Sequence, residues 1–421
     1  MKRIIFILSW CVCGLGTLHA QDSIFVDVHL RVLIHEALDR NADIRVASLH
    51  IEKAAAMLRS AKLNYLPSFS LSPSGTISKV QSQAAFKSYS LPLTMEWEWQ
   101  LGGGQQGEQQ VAEAQWRQSG EQLRYQQVQL IAELANSYYT LILLDRQIDI
   151  TRQSIHNQEA NLKAIRALHA VGKMDALAVH QADATLQSVR SSFMELESQR
   201  SKVETAISLL LDRKAGVIAR SSWEKVEGIR MNPSQPIALE QLSSRPDVRS
   251  AEYALQAAYG QARVANSALY PTLRITADAG WTNNLGEIIY PGKQLLNLIG
   301  GLTQPLFARG ALKARRQAAE IERKQAEISF EKALLVAGGE VKDALSECTA
   351  AQRKKPLRQA QLEASQKAYE QCQQLLRHSQ TVTYIDVLAA QSSLLSAELQ
   401  YAADWLEGQQ ALINLYKALC P

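Results

Sequence analysis

Catalysis and metal binding need reactive side chains at defined spacings, and in this 421-residue chain such residues are scattered. His156, His169 and His180 lie far apart, without metal-ligand spacing. Beyond the first twenty residues the cysteines are Cys348, Cys372 and Cys420, an odd set with neither a disulfide framework nor zinc spacing. Gly102-Gly103-Gly104 has the glycines of a phosphate cradle but lacks the Lys-Ser/Thr that completes one. A tight strand-to-helix turn explains the triplet better. No cluster supports an enzyme, and no cofactor or metal is expected.

The first residues read as an export signal. Lys2 and Arg3 form a positive start, Ile4 to Leu18 an apolar run, and Leu18-His19-Ala20 a cleavage site, giving residues 1–20 as the signal peptide. Without it, 43 basic residues face 41 acidic ones. That balance, with no basic tract, argues against nucleic acid as a partner. Trp10 and Val12 precede Cys11 and Cys13 where a lipidated cysteine normally follows a small residue, so lipidation is not expected. No stretch of 18 apolar residues follows Ala20, so a transmembrane helix is not expected. An exported chain of this kind is periplasmic, secreted, or inserted in an outer membrane through strands.

Four segments have the period-two alternation of such strands. Ser68–Ser78 places Phe69, Leu71 and Ile77 opposite a run of Ser and Thr. Ser88–Leu101 places Tyr89, Leu91, Leu93, Met95, Trp97 and Trp99 on one face. Thr272–Trp281 repeats the pattern, and Gln294–Phe307 follows it less cleanly. The strands have about the 9–11 residues of a tilted membrane crossing. Trp97, Trp99 and Trp281 lie near strand ends, where interfacial aromatics sit. Polar loops, Lys79–Lys87 and Thr282–Lys293, connect each pair. Four strands cannot close a membrane barrel, since the smallest have about eight. Several chains are therefore expected to assemble.

The chain also repeats itself. Asp43-Ile44-Arg45-Val46-Ala47 returns as Asp247-Val248-Arg249-Ser250-Ala251, 204 residues later, and Pro67 returns as Pro271. Gly103 and Glu133 correspond to Gly310 and Glu340 at an offset of 207. The reading is a first repeat over 21–213, a linker over 214–239 and a second repeat over 240–421. Each repeat has a helix, a β-hairpin (68–101 or 272–307) and a long helical hairpin. The long helices, about Gly107–Ala170 and Ala311–Arg377, would each extend roughly 100 Å. Ile321, Ile328 and Leu335 have coiled-coil spacing. The helices turn near Ala170–Asp175 and His378–Tyr384 and return over about Ala176–Asp212 and Ile385–Leu419.

Ser244-Arg245-Pro246-Asp247-Val248-Arg249, then Ala251-Glu252 and Ala268-Leu269-Tyr270-Pro271, resembles the signature of the TolC-like outer-membrane efflux protein family, in its NodT-like subgroup. Trp97-Glu98-Trp99-Gln100 with Gly103 resembles another of its motifs, with Gln100 where Asp is usual. Gln304-Pro305-Leu306-Phe307 with Gly310 resembles its counterpart, with Ala308 in place of an Asp. The resemblance covers almost all of the chain after the signal. It implies a mainly α protomer with four transmembrane strands, a homotrimer with a 12-stranded β-barrel, and an α-helical coiled-coil barrel in the periplasm.

The function so implied is the outer-membrane channel of a tripartite efflux system, with a periplasmic adaptor and an inner-membrane RND-type pump as partners and outer-membrane lipid around the barrel. The same conduit serves type I protein secretion. A periplasmic coiled-coil structural or adaptor protein that conducts nothing is the alternative of another class. Val171, Gly172, Lys173 and Met174 resemble the family's adaptor-docking tip, and Gln380, Thr381, Val382 and Thr383 are their counterpart. Family gates carry acidic rings in a segment resembling Tyr384-Ile385-Asp386-Val387-Leu388-Ala389. The usual Asp is Ala389 here, which leaves Tyr384 and Asp386 as the gate candidates.

Overall fold

The computed structural model describes residues 24–79, 85–231, 239–284, 288–378 and 382–419. The signal segment with Cys11 and Cys13, Cys420, and Gln380 and Thr381 of the second tip lie outside these residues. In chain order the elements are α1 (Val28–Arg40), α2 (Ala42–Leu63), β1 (Ser68–Leu71), β2 (Ser74–Ser78), β3 (Phe86–Gln100), α3 (Gly104–Ala170) and α4 (Ala176–Leu210). Then come α5 (Leu239–Ser243), α6 (Pro246–Ser267), β4 (Thr272–Asn284), β5 (Ile288–Thr303), α7 (Ala311–His378) and α8 (Tyr384–Leu419).

Two strands differ from the alternation pattern. The first is interrupted at Ser72-Pro73 because proline brings no N–H to the ladder. Its halves, β1 and β2, keep one register against β3 and so act as a single edge strand. The fourth runs Ile288–Thr303, stopping before Pro305, and takes in the second half of the stretch expected as a loop. Pro356, in contrast, is carried inside the long helix α7.

The described chain forms two compact units: residues up to Val46 with Arg124–Arg245 and those from Val336, and Ala47–Leu123 with Pro246–Leu335. Each draws segments from both sequence repeats. The second unit holds the antiparallel sheet, in order β1-β3-β4-β5 with β2 also on β3. Its two hairpins have equivalent registers. Ser68 faces Glu96, and the residues 204 and 207 positions later, Thr272 and Thr303, face each other in the same way. Gly103 and Gly310 both adopt left-handed φ, +76° and +79°, and their carbonyls accept the Gly107 and Ala314 N–H groups at 3.0 Å, the bonds that open α3 and α7. The glycine triplet is thus a strand-to-helix turn. Further along, Gly107 of α3 and Gly260 of α6 lie so close that a Cβ on either would meet the other's carbonyl oxygen at 3.0–3.1 Å.

The first unit is organised around buried polar groups that tie distant segments together. Asp27 caps α1, accepting from the His29 and Leu30 N–H groups, and also accepts the Tyr138 hydroxyl at 2.7 Å. Tyr138 in turn accepts the Ser221 N–H at 3.1 Å. Burial is the main cause that pushes the Tyr138 phenol far above its ordinary range, so it stays a neutral donor. Arg220 reaches Glu204 at 2.8 Å and binds Asp145. Arg245, of the sequence signature, is buried and donates to the Ala418 carbonyl at 3.2 Å and to Glu340 at 2.6 Å. It thereby fastens α7 to the end of α8, where Val341, Ala344, Cys348, Ala411, Leu415 and Ala418 form an apolar core.

Tyr138→Phe removes the donor to a buried carboxylate and the acceptor of a backbone N–H. Removal of such buried partners costs about 1–3 kcal/mol. A lowered thermal unfolding midpoint relative to wild type is expected; an unchanged midpoint would exclude this hub as a determinant of stability.

Candidate pore wall and hairpin tips

In the sheet, strand register decides which side chains share a face. The pairs Leu93–Ala279, Met95–Ala277, Trp97–Ile275 and Trp99–Leu273 continue onto β5 as Leu296, Leu298, Gly300 and Leu302, and onto β1 as Leu71 and Phe69. One face is therefore apolar across all four ribbons. Its side chains are open rather than packed, with Phe69, Leu71, Ile77, Leu91, Leu93, Leu296, Leu298 and Leu302 exposed. An exposed apolar surface this continuous marks a membrane or interaction face. Aromatic residues border it: Trp97 and Trp99, whose rings lie 5.8 Å apart, toward one end, and Tyr89 and Trp281 toward the other. The ten steps from Tyr89 to Trp99 span about 34 Å along a strand, or about 26 Å of height at a tilt of about 40°. That matches the roughly 25 Å apolar band of outer-membrane barrels.

The opposite face is hydrophilic. Thr94 donates to Asp278 at 2.7 Å, Arg274 pairs with Glu98 at 2.8 Å, and Glu96, Gln100, Thr272, Thr276 and Asn297 fill the neighbouring positions. Such a face suits a water-filled lumen.

In the other unit, the α3–α4 turn is a Schellman motif. The Gly172 N–H bonds to the His169 carbonyl and the Lys173 N–H to the Leu168 carbonyl, both at 2.9 Å, with Gly172 at φ +73°. His169 Nδ1 also contacts the Met174 carbonyl at 2.8 Å. Val171, Gly172 and Lys173 point outward. Met174 instead packs on a core of Leu162, Ile165, Ala178, Ala182 and Leu186.

Of the second tip, Val382, Thr383, Tyr384 and Asp386 are described. Tyr384 and Leu388 pack on the same core as Met174, so the two hairpin tips come together. One turn further, Asn161 of α3 donates to the buried Gln391 of α8 at 3.0 Å, a link that has no sequence signal. Asp386 is exposed, and its carboxylate accepts from the Thr383 hydroxyl at 2.6 Å and the Thr383 N–H at 2.8 Å. This is a capping box at the start of α8, legible in the Thr-x-x-Asp spacing. Its hydrogen bonds, first that of the Thr383 hydroxyl, hold the Asp386 carboxyl below its usual range.

Residues 33–212 and 239–420 match the family model described as outer membrane efflux protein. The chain belongs to this family. The cation efflux system protein CusC of Escherichia coli is 26% identical over 408 residues, covering 94% of this chain and 87% of that protein. The toluene efflux pump outer membrane protein TtgF of Pseudomonas putida is 27% identical over 410 residues, covering 94% and 84%. The solved structure of the outer-membrane channel OprN shares the fold, with a TM-score of 0.85 at 25% identity over 94% of this chain and 93% of that one. This member of the outer membrane efflux protein family is therefore an efflux channel subunit of the outer membrane, in a family of channels rather than enzymes. The apolar sheet face is its lipid-facing surface.

Because the Asp386 carboxyl titrates below its ordinary range, its cap stabilises the tip fully above that range and is lost as pH falls through the lowered value. Hydrogen exchange at residues 382–388 is expected to show greater opening for Thr383→Ala at neutral pH, after correction for intrinsic rates. The wild-type segment should open only under acid. Equal protection in both proteins at neutral pH would refute the cap.

Proposed function

We propose that the chain is the exit duct of a tripartite efflux system, acting as a homotrimer that passively conducts small molecules without catalysis. The observation that carries this reading is the sheet. It presents an open apolar face and a charged polar face, yet four ribbons cannot close around a lumen. Three copies supply twelve strands. Ile321, Ile328 and Leu335 support assembly as well, since this heptad stripe of α7 is exposed in a single chain.

The tips supply the coupling. Val171, Gly172 and Lys173, held outward by the Schellman turn, with Met174 anchoring it from within, dock a periplasmic adaptor that joins the duct to an inner-membrane RND-type pump; Gln380, Thr381, Val382 and Thr383 are their counterpart in the second repeat. Tyr384 and Asp386 form the periplasmic gate, where three exposed carboxylates in a trimer favour cations. The cargo is a small solute. Similarity to a cation efflux protein and to a toluene efflux protein supports a duct with little selectivity, filled by whatever the pump delivers.

Gly172→Phe places a bulky residue at a left-handed φ, a local cost of about 1–2 kcal/mol that the fold tolerates. Export from cells is expected to cease while the trimer persists; normal export would remove the tip from the coupling site. Purified trimers are expected to conduct in planar bilayers, and Asp386→Asn to lower their cation preference. Unaltered selectivity would leave Asp386 a helix cap only.

A further inference from the structure

Between α7 and α8 lies a cavity of about 200 Å³ that conduction does not use. The two helices run antiparallel there, with Cys348 near Leu412, Ala351 facing Gly408, and Arg358 bonded to Asp404. Small residues oppose each other at the centre: a Cβ on Gly408 would stand 3.9 Å from that of Ala351. Side chains this short leave the seam between the helices unfilled, where protein interiors are otherwise close-packed.

The cavity has two chemically different ends. At one, Cys348 is 3% exposed and Leu412 packs on the same apolar core. Burial pushes the Cys348 thiol up, so this wall is neutral. Trp405 forms a side of the cavity, and its ring is held from behind, 4.7 Å from that of Trp223 and 5.8 Å from that of Tyr139. The other end is cationic. Lys354 binds Asp404 at 2.8 Å and Glu407 at 2.6 Å, and Arg358 shares Asp404, so both carboxylates are already engaged. Arg358 is further fixed by Gln361 and Gln400. Lys355 also lines the cavity and has no carboxylate partner among the described residues.

We propose that this cavity binds a small aromatic carboxylate. The ring lies against Trp405 in the space left by Ala351 and Gly408, and the carboxylate meets Lys355, with the Tyr401 hydroxyl as a further donor. A dry chamber of about 150 Å³ already admits benzene, so the observed volume suits one ring and its acid group. An apolar chamber with a single uncommitted cation at its rim selects an anion with an apolar body. The site is separate from the hairpin tips: Arg358 is 20 residues short of the end of α7, about 30 Å along the helix. It therefore does not rest on the docking or gating roles proposed above.

Titration followed by saturation-transfer NMR tests the site in the full-length protein in detergent, with benzoate and toluene as probes. Benzoate is expected to bind with a Kd of about 1 mM or tighter. Lys355→Gln, at an exposed position, should weaken benzoate about tenfold and leave toluene unchanged, whereas Lys355→Arg should retain benzoate. Gly408→Leu, which fills the cavity, should remove both probes; where it lowers the yield of folded protein, Lys355→Gln decides alone. Absence of benzoate binding up to about 10 mM, or an unchanged Kd in Lys355→Gln, overturns the proposal. Toluene binding as tightly as benzoate would overturn recognition of the acid group.

Discussion

Everything in the membrane part follows from the register between β3 and β4. Because side chains alternate with period two, one register brings Leu93, Met95, Trp97 and Trp99 beside Ala279, Ala277, Ile275 and Leu273. Displaced by one residue, the same strands would put Glu96 and Glu98 among leucines and leave no continuous apolar face. Sidedness is thus set by hydrogen-bonded pairing, and lipid contact on one side with water on the other is its consequence. The sheet gains little from packing within the chain, since its apolar side chains stay exposed. Its apolar face is left for lipid to cover.

The helical part works by different physics. Helices of 67 and 68 residues satisfy their own backbone, so their difficulty is direction rather than hydrogen bonding. Apolar contacts address it: Met174, Tyr384 and Leu388 meet on one core at the tips, and Ala411, Leu415 and Ala418 at the end of α8 meet Val341, Ala344 and Cys348 near the middle of α7. Buried and half-buried polar clamps add specificity. Asp27, Tyr138, Arg220 and Arg245 each join segments far apart in sequence, and each has a partner geometry that a slipped packing would break.

Legibility in the sequence followed the range of the interactions. Alternation revealed the strands because it is local, and glycine at the turns revealed Gly103, Gly172 and Gly310. Strand ends were less legible: Pro73 breaks the first ribbon, and the last begins well before Gln294 because pairing with β4 extends it. The Thr383–Asp386 cap could be read in principle, since its spacing is short. Arg245 stood out as a motif residue without a role, because its carbonyl acceptors lie 92 and 173 residues away. No local pattern encodes those distances.

The change of repeat offset from 204 to 207 has a structural location. Equivalent hairpin pairing holds as far as Ser78–Phe86 in the first repeat and Thr282–Lys293 in the second. Beyond it, Asn284 faces Ile288 instead of position 291, a displacement of three residues, which equals the change in offset. The irregularity is sealed by Asn283, fully buried, whose side-chain amide accepts the Tyr89 N–H at 2.7 Å and donates to the Lys87 carbonyl at 2.8 Å. It thus stands in for a strand backbone where the ladder breaks. The inserted residues fall outside the aromatic-bordered band, where register sets which side chains meet lipid. A shift inside that band would have inverted a strand's faces, whereas a longer loop costs only a small increment of closure entropy. The two hairpins therefore stay superimposable through the bilayer and diverge where the chain leaves it.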